Sequence, residues 1–466
     1  MLNSQLRIDL IRIIVLSLLY TSAAKFGQIF SVVGGSVTLV WLPAGIGLAA
    51  LLIYGYRVWL GIFCGVILAN LSFSLPILTI LAMATGSSLG GVVGAYLLKK
   101  QHFHPELNRI KDALNLIIYG AGFSPILSSL IDVPSLWLSG VTPQGELALF
   151  WLQFIMGDAM GVLVMTPVCI TWASLRNHKL SFQRKTEAII LFSSLTLSCG
   201  IVFNGWFLSR SIVLPAFLVY PFLVWAPLRF ETRGASTAIF IISGFALFGV
   251  THQVGPFISP SLLNTLILVW LFVNVAAIVS LVLAASIGEL KTAKHYLEQL
   301  ALHDSLTGLD NRLLLMEKLA ESLATVQRYN TQSAIIYLDL DGFKPINDTF
   351  GHEAGDFVLI EVAKRLRSCV REVDTVARLG GDEFVVLLHN LSDTDTVQQI
   401  ADRIVETINA SINLFGTTVN VGVSMGIALI PQDGKYPHQL LKNADKAMYL
   451  AKQQGKNQYQ FFSERV

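Results

Sequence analysis

Thr375-Val376-Ala377-Arg378-Leu379-Gly380-Gly381-Asp382-Glu383-Phe384-Val385-Val386-Leu387-Leu388 decides the fold of the C-terminal part of this chain. Two aliphatic runs flank a Gly-Gly pair, so residues 375–379 and 384–388 read as strands joined across Gly380-Gly381-Asp382-Glu383. The glycines free the backbone for a tight turn and let a ligand approach closely. The tip carries two acids. Upstream, Ala334-Ile335-Ile336-Tyr337-Leu338-Asp339-Leu340-Asp341 is apolar until it also ends in acids. If these strands are neighbours, three or four carboxylates converge. Hard oxygen donors with no Cys or His nearby favour Mg²⁺ or Mn²⁺. Such ions neutralise phosphate oxygens in in-line displacements. A lone Gly-Gly-Asp-Glu would instead read as a solvated acidic turn.

Working outward, the pattern predicts helices over 312–329, 354–372, 394–410 and 437–454. It predicts strands over 333–340, 419–429 and 457–462. This is an α/β domain over 302–466, large enough for one core. Before it, residues 289–301 form a helical connector. Leu290, Ala293/Lys294, Leu297 and Leu300 follow a heptad-like seam. Two such seams would pair as a short parallel coiled coil; a helix packed on its own domain is the alternative.

The remainder, 1–288, has a different composition. It holds 15 Lys and Arg and 8 Asp and Glu, against 18 and 23 in residues 289–466. Net charge is thus +7 in the first part and −5 in the second. Mean hydropathy of the 466-residue chain is +0.60, and only 14% of it is charged. A purely soluble enzyme and a disordered chain are both excluded. The acidic second part also argues against a nucleic-acid-binding domain. Apolar runs long enough to span a bilayer recur at 8–31, 35–54, 58–74, 76–98, 112–131, 148–172, 187–208, 212–228, 234–251 and 261–286. Ten spans are expected, with eight as the alternative. One set of connections holds Arg57, Lys99, Lys100, Arg109, Lys111, Arg176, Lys179, Arg184, Lys185, Arg229 and Arg233; the opposite set holds only Arg210. That bias places both termini and the soluble domain in the cytoplasm. The first run is too long for a cleaved signal peptide.

Lys25 and Asp158 lie inside spans, where a charge is costly and functional by default. Snorkelling to the interface is the favoured reading of Lys25. For Asp158, a sensor site contacting a ligand and a structural pairing both stand open. Gly86, Gly90, Gly91 and Gly94 recur at helical spacing and read as close helix packing. The four cysteines are scattered, so neither a disulfide framework nor a metal cluster is expected.

Two resemblances follow. Val40-Trp41-Leu42-Pro43-Ala44-Gly45-Ile46-Gly47-Leu48-Ala49, continuing through Gly55-Tyr56-Arg57-Val58-Trp59, resembles the start of MASE-type domains, the membrane-associated sensors. This implies a sensory input domain over 1–288. Arg378 to Phe384 resembles the signature of GGDEF-family diguanylate cyclases. So do His303-Asp304-Ser305-Leu306-Thr307-Gly308-Leu309 with Asn311-Arg312, and Asp339-Leu340-Asp341-Gly342-Phe343-Lys344-Pro345-Ile346-Asn347-Asp348. Gly351-His352-Glu353-Ala354-Gly355-Asp356 and Asp445-Lys446-Ala447-Met448-Tyr449, with Lys452 and Gly455-Lys456-Asn457, complete the set in order.

The resemblance implies a multi-pass α-helical membrane domain followed by an α/β domain like the palm of nucleotidyl cyclases. It implies condensation of two GTP into cyclic di-GMP, with release of two pyrophosphates, by a homodimer. Asp339, the Leu340 carbonyl, Asp382 and Glu383 would bind Mg²⁺ or Mn²⁺, two ions per site. Asp382 and Glu383 are the implied catalytic residues; Asp382 matches the family's proton-acceptor position, and the sequence does not separate base from metal ligand there. Asn347 and Asp356 match guanine-reading positions, and His352 lies near that pocket. Phe343 and Lys344 match backbone contacts near the phosphates, and Gly380 and Gly381 match substrate-binding positions. Lys452 and Lys456 match basic phosphate-binding positions; many members carry Arg where Lys456 stands, which keeps charge but loses bidentate geometry. Arg371, Asp374 and Arg403 match an inhibitory site for the product, cyclic di-GMP. The expected setting is the inner (cytoplasmic) membrane of a bacterium. The rivals are a silent GGDEF domain used as a cyclic di-GMP or GTP receptor, a cyclase making another cyclic nucleotide, and a transporter with a regulatory cyclase. The last is disfavoured by the lack of an internal repeat.

Overall fold

The computed structural model describes residues 2–29, 31–33, 37–38, 40–73, 75–140, 145, 147–173, 181–207, 213–329, 331–391, 393–414 and 416–462. They divide into two units, Met1–Thr292 and Ala293–Val466.

The first unit is helical. α1 (Leu2–Ile29) leads into a short antiparallel pair, β1 (Ser31–Val33) and β2 (Val37–Thr38). Then come α2 (Leu42–Tyr54), α3 (Trp59–Asn70), α4 (Ile77–Lys100) and α5 (Ile110–Asn115). A wider turn of π type, Leu116–Phe123, carries α5 into α6 (Ser124–Leu138). α7 (Leu147–Ala173), α8 (Phe182–Asn204), α9 (Tyr220–Thr251) and α10 (Leu262–Leu302) follow. Among the described residues, six runs are long and apolar enough to cross a membrane: Ile77–Lys100, Ile110–Leu138, Leu147–Ala173, Phe182–Asn204, Ala216–Thr251 and Leu262–Leu302.

The expected second and third spans are shorter than the sequence suggests. Only Leu42–Tyr54 is helical within 35–54, and Trp59–Asn70 within 58–74. Pro43 sits in the first turn of α2, where its missing N–H is no loss, and Val37–Thr38 is already paired as strand. Thirteen residues of helix rise about 20 Å, less than the hydrocarbon core. The expected eighth and ninth spans meet in α9, where Glu231 leaves helical geometry at φ 54°, ψ −145°. α4 and α6 approach backbone to backbone: a Cβ on Gly86 would strike the Asp132 carboxylate, and one on Gly90 the Ser124 carbonyl. Lys25 donates to Ser72 and lies 5.1 Å from the centre of the Phe73 ring.

The second unit is a five-stranded sheet between two helical layers. Its strands are β3 (Gln332–Asp341), β4 (Thr375–Gly380), β5 (Glu383–Leu391), β8 (Gly422–Ile430) and β9 (Tyr459–Phe461), in the order β4-β5-β3-β8-β9. All neighbours are antiparallel except β8 and β9. A separate pair, β6 (Ile412–Leu414) and β7 (Thr417–Val419), precedes β8, so the expected single strand 419–429 is divided. Alternation along β3 separates the layers. Ile336, Leu338 and Leu340 bury against α12 (Phe343–Phe350), α13 (His352–Ser368) and α14 (Thr394–Asn409). Ile335 and Tyr337 bury against α11 (Arg312–Tyr329) and α15 (Pro437–Gln453). The expected helix 354–372 begins two residues earlier and ends at Ser368, and α12 is an additional element between Gly342 and Gly351.

α15 packs on β8 at Gly426, where a Cβ would meet the Ala444 carbonyl and the Met448 amide. Both obstacles are helix backbone, which cannot swing aside. Gly426→Ala is therefore expected to destabilise the second unit by about 1–3 kcal/mol through overpacking. A lowered thermal unfolding midpoint in the full-length protein would show it; an unchanged midpoint would refute the close packing.

Candidate functional site

The acids meet where β3 and β5 end together. Their register sets Asp339 directly opposite Glu383, and the Leu340 amide donates to the Asp382 carbonyl at 3.3 Å. Gly380 and Gly381 turn the chain with φ of 145° and 54°. The turn thus rests on backbone that a side chain would strain. Asp339 is part-buried and accepts from Lys452 Nζ of α15 at 2.7 Å. Burial pushes its carboxyl above the ordinary range; Lys452 opposes this, while Asp382 and Asp341 add to it. Glu383 instead lies beside the Tyr337 hydroxyl, whose pKa is raised by burial and then by Glu383 and Asp445.

The expected convergence of three or four carboxylates is thus only partly met. Among the described residues no three His, Cys, Asp or Glu side chains converge as a metal cluster. Like charges directly across a sheet repel. Asp339 turns to Lys452 and Glu383 to Tyr337. Asp339 and Asp382 remain neighbours.

α12 and α13 place the next group. Asn347 lies over Gly355, where a Cβ would meet its Oδ1 and the Phe343 ring. The Phe343 side chain is buried in the core, so only its backbone is left to face a ligand. Lys344, His352 and Asp356 are exposed. Lys456 is exposed in the loop after α15 with φ 63°.

Arg371 is exposed on the turn before β4, but Asp374 is not a free carboxylate. It is 5% exposed, and it accepts the Arg371 amide at 3.0 Å and the His389 amide at 3.1 Å. Its oxygens are spent on shaping the turn that presents Arg371. Arg403 on α14 donates to the Cys369 carbonyl, two residues from Arg371, so these two arginines belong to one region.

Three residues without an assigned role hold the site. Asp341 accepts from Ser424 Oγ at 2.7 Å and from the Asn457 amide at 3.0 Å, tying the loop of Lys456 to the sheet. Arg378 donates to both Asp304 oxygens, at 2.9 and 3.1 Å, and to the Gly381 carbonyl at 3.0 and 2.7 Å. Asp304 also accepts the Thr307 amide and hydroxyl at 2.9 and 2.6 Å. The sequence signal was present: Arg378 stands two residues before Gly380, and Asp304-Ser305-Leu306-Thr307 is one of the matching blocks.

A family model described as MASE1 matches residues 11–291, more than half of the chain. The chain belongs to the MASE1 family. It is a multi-pass membrane protein in its first unit. A second model, described as diguanylate cyclase, GGDEF domain, matches residues 301–458, so the MASE1 unit precedes a GGDEF domain. Among curated relatives, the bifunctional diguanylate cyclase/cyclic di-GMP phosphodiesterase MucR of Pseudomonas aeruginosa is 45% identical over 185 residues, 40% of this chain and 26% of MucR. The diguanylate cyclase TpbB of the same species is 46% identical over 155 residues, 33% of this chain and 36% of TpbB. The chain therefore spans about a quarter to a third of the length of these relatives. A solved structure of the GGDEF domain of TpbB from P. aeruginosa is 44% identical, with a TM-score of 0.34, covering 34% of this chain and 94% of that one.

The Asp304–Arg378 pair makes a pH prediction. Burial raises the Asp304 carboxyl, but the Thr307 and Arg378 hydrogen bonds outweigh it and hold it below the usual range. The unfolded state then binds more protons as pH falls. The stabilisation is complete above the ordinary aspartate pKa of about 4 and is lost below it. Arg378→Ala should cost stability at neutral pH, and the difference from wild type should shrink through the acid limb. Urea midpoints across that range would measure it; a constant difference would refute it.

Proposed function

We propose that this protein is a membrane-bound diguanylate cyclase, condensing two GTP into cyclic di-GMP and two pyrophosphates under control of its MASE1 unit. The observation that carries this reading is the strand-end site: Asp339 and Asp382 side by side, Lys452 against Asp339, and a two-glycine turn next to them. In each half-reaction the 3′-hydroxyl of one GTP attacks the α-phosphorus of the other. The bond to pyrophosphate breaks and the hydroxyl proton leaves to Asp382. Repetition with the roles exchanged closes the ring. Such displacements need alignment and charge neutralisation above all.

The residues fit a magnesium ion. Mg²⁺ takes one or two carboxylates and completes its shell with water and phosphate oxygens. Asp339, Asp382 and the Leu340 carbonyl would hold it, with Glu383 within reach. When bound, Mg²⁺ or Mn²⁺ neutralises charge on the transferring phosphate. Lys452 and Lys456 add positive charge for the phosphates. Asn347 and Asp356 read the guanine edge, with His352 near, and Lys344 and the Phe343 backbone line the phosphate side. Arg378, through Gly381, is a positioning residue.

Two half-sites require two copies. Leu290, Tyr296, Leu297 and Leu300 are 50–70% exposed along α10, which supports a paired helical seam in a homodimer. Arg371 with Arg403 forms the feedback site for cyclic di-GMP, shaped by Asp374. The soluble unit is on the cytoplasmic side of a bacterial inner membrane, as the loop charges indicate.

Purified full-length protein in nanodiscs with GTP and Mg²⁺ should form cyclic di-GMP, identified by mass. Asp382→Ala should lower the rate by about 10²–10⁴-fold or more. No product from wild type, together with retained cyclic di-GMP binding that Arg371→Ala abolishes, would replace the cyclase by a receptor.

A further inference from the structure

Among the described residues of the first unit three carboxylates are buried, and they differ in how they are neutralised. Asp112 is 0% exposed and has Arg109 Nε at 2.7 Å. Asp132, also 0% exposed, and Asp158, 7% exposed, have no Lys, Arg or His at ion-pair distance among the described residues. They lie on α6 and α7, near enough for their charges to repel. Ser87 Oγ donates to Asp132 Oδ2 at 3.2 Å, and Ser128 Oγ to Asp158 Oδ2 at 3.1 Å. Asp132 Oδ1 is fully enclosed against Gly86 of α4 and accepts no hydrogen bond. A buried carboxylate oxygen left this way costs several kcal/mol unless a ligand or proton meets it.

A cavity of about 20 Å³ lies beside Asp158, with Tyr20, Trp41, Ser87, Ser124 and Ser128 also on its walls; Asp132 stands behind it and is tied to it through Ser87. That is room for a single water-sized occupant. Trp41 and Pro43, at the start of α2, also line it, and the Trp41 amide donates to the Gly157 carbonyl at 2.9 Å. The positive end of α2 offsets about half a charge. Two carboxylates still leave the pocket net negative in a medium that tolerates no unpaired charge. A divalent metal site of three or more such ligands is not present among the described residues.

We infer that Asp158, Ser87 and Ser128 form a buried site for one small monovalent cation of sodium type, with Asp132 behind Ser87 adding its negative charge. Carboxylate and hydroxyl oxygens are hard donors suited to it. The cavity admits an ion of water size. This assignment concerns the first unit alone and stands apart from the cyclase reading.

The test uses full-length protein in detergent at mildly alkaline pH, equilibrated in N-methylglucamine chloride. Sodium chloride replaces it at constant ionic strength while tryptophan fluorescence follows thermal unfolding. Wild type should show a saturable rise in midpoint on the order of 5 °C. D132N and D158N should lose the rise, and S87A should need several-fold more sodium. Should D132N fail to fold, D158N and S87A carry the test. No sodium response in wild type would mean that protons neutralise the pair, and would overturn the site. An undiminished response in D158N would place the effect elsewhere and overturn it equally.

Discussion

The antiparallel register that sets Asp339 across from Glu383 is the constraint on which the soluble unit depends. Two acids facing each other at the end of a buried sheet repel, and the fold has to separate or neutralise them. Lys452 does so for Asp339, which requires α15 to lie close on the sheet. That approach in turn requires glycine at position 426. Tyr337 takes the neighbourhood of Glu383, one pleat back on the same face. The charge left over is what a nucleotide site with a bound cation would use. Under the proposed function, the same repulsion that burdens the folded chain would favour a bound cation there.

Much of this was legible in the residues. The β3 run, the hairpin and the helices over 312–329 and 437–454 carry strong alternation or periodicity, and they occur close to the expected limits. α12 escaped because it is eight residues long and bounded by glycines at φ 81° and 85°, too short to show a period. The acids were visible as acids, but their division of labour was not. Nothing in the letters distinguishes Asp374, folded back on two amides, from a carboxylate free to meet a ligand. Asp304 and Arg378 lie 74 positions apart, so their pairing belongs to tertiary structure.

In the membrane unit, composition located the apolar runs, but length and proline placement decided their form. A hydropathy window cannot see that Pro43 opens a helix, nor that Glu231 bends one. Interrupted helices at membrane depth persist only where protein rather than lipid satisfies the freed backbone groups. Trp41 illustrates this, with its amide on Gly157 of α7. The glycines of α4 serve the same end by letting helix backbones touch.

The guanidinium of Arg378 touches Asp304 on one side and Gly381 on the other, while its own amide is bonded to the Asp310 carbonyl at 2.9 Å. Mechanically, this is a latch with one moving part. The segment 303–310, directly after α10, cannot peel from the sheet without tugging the glycine turn, and the turn cannot flatten without loosening that segment. A strain applied at one end of the latch is passed to the other through the Arg378 side chain and its backbone bond to Asp310.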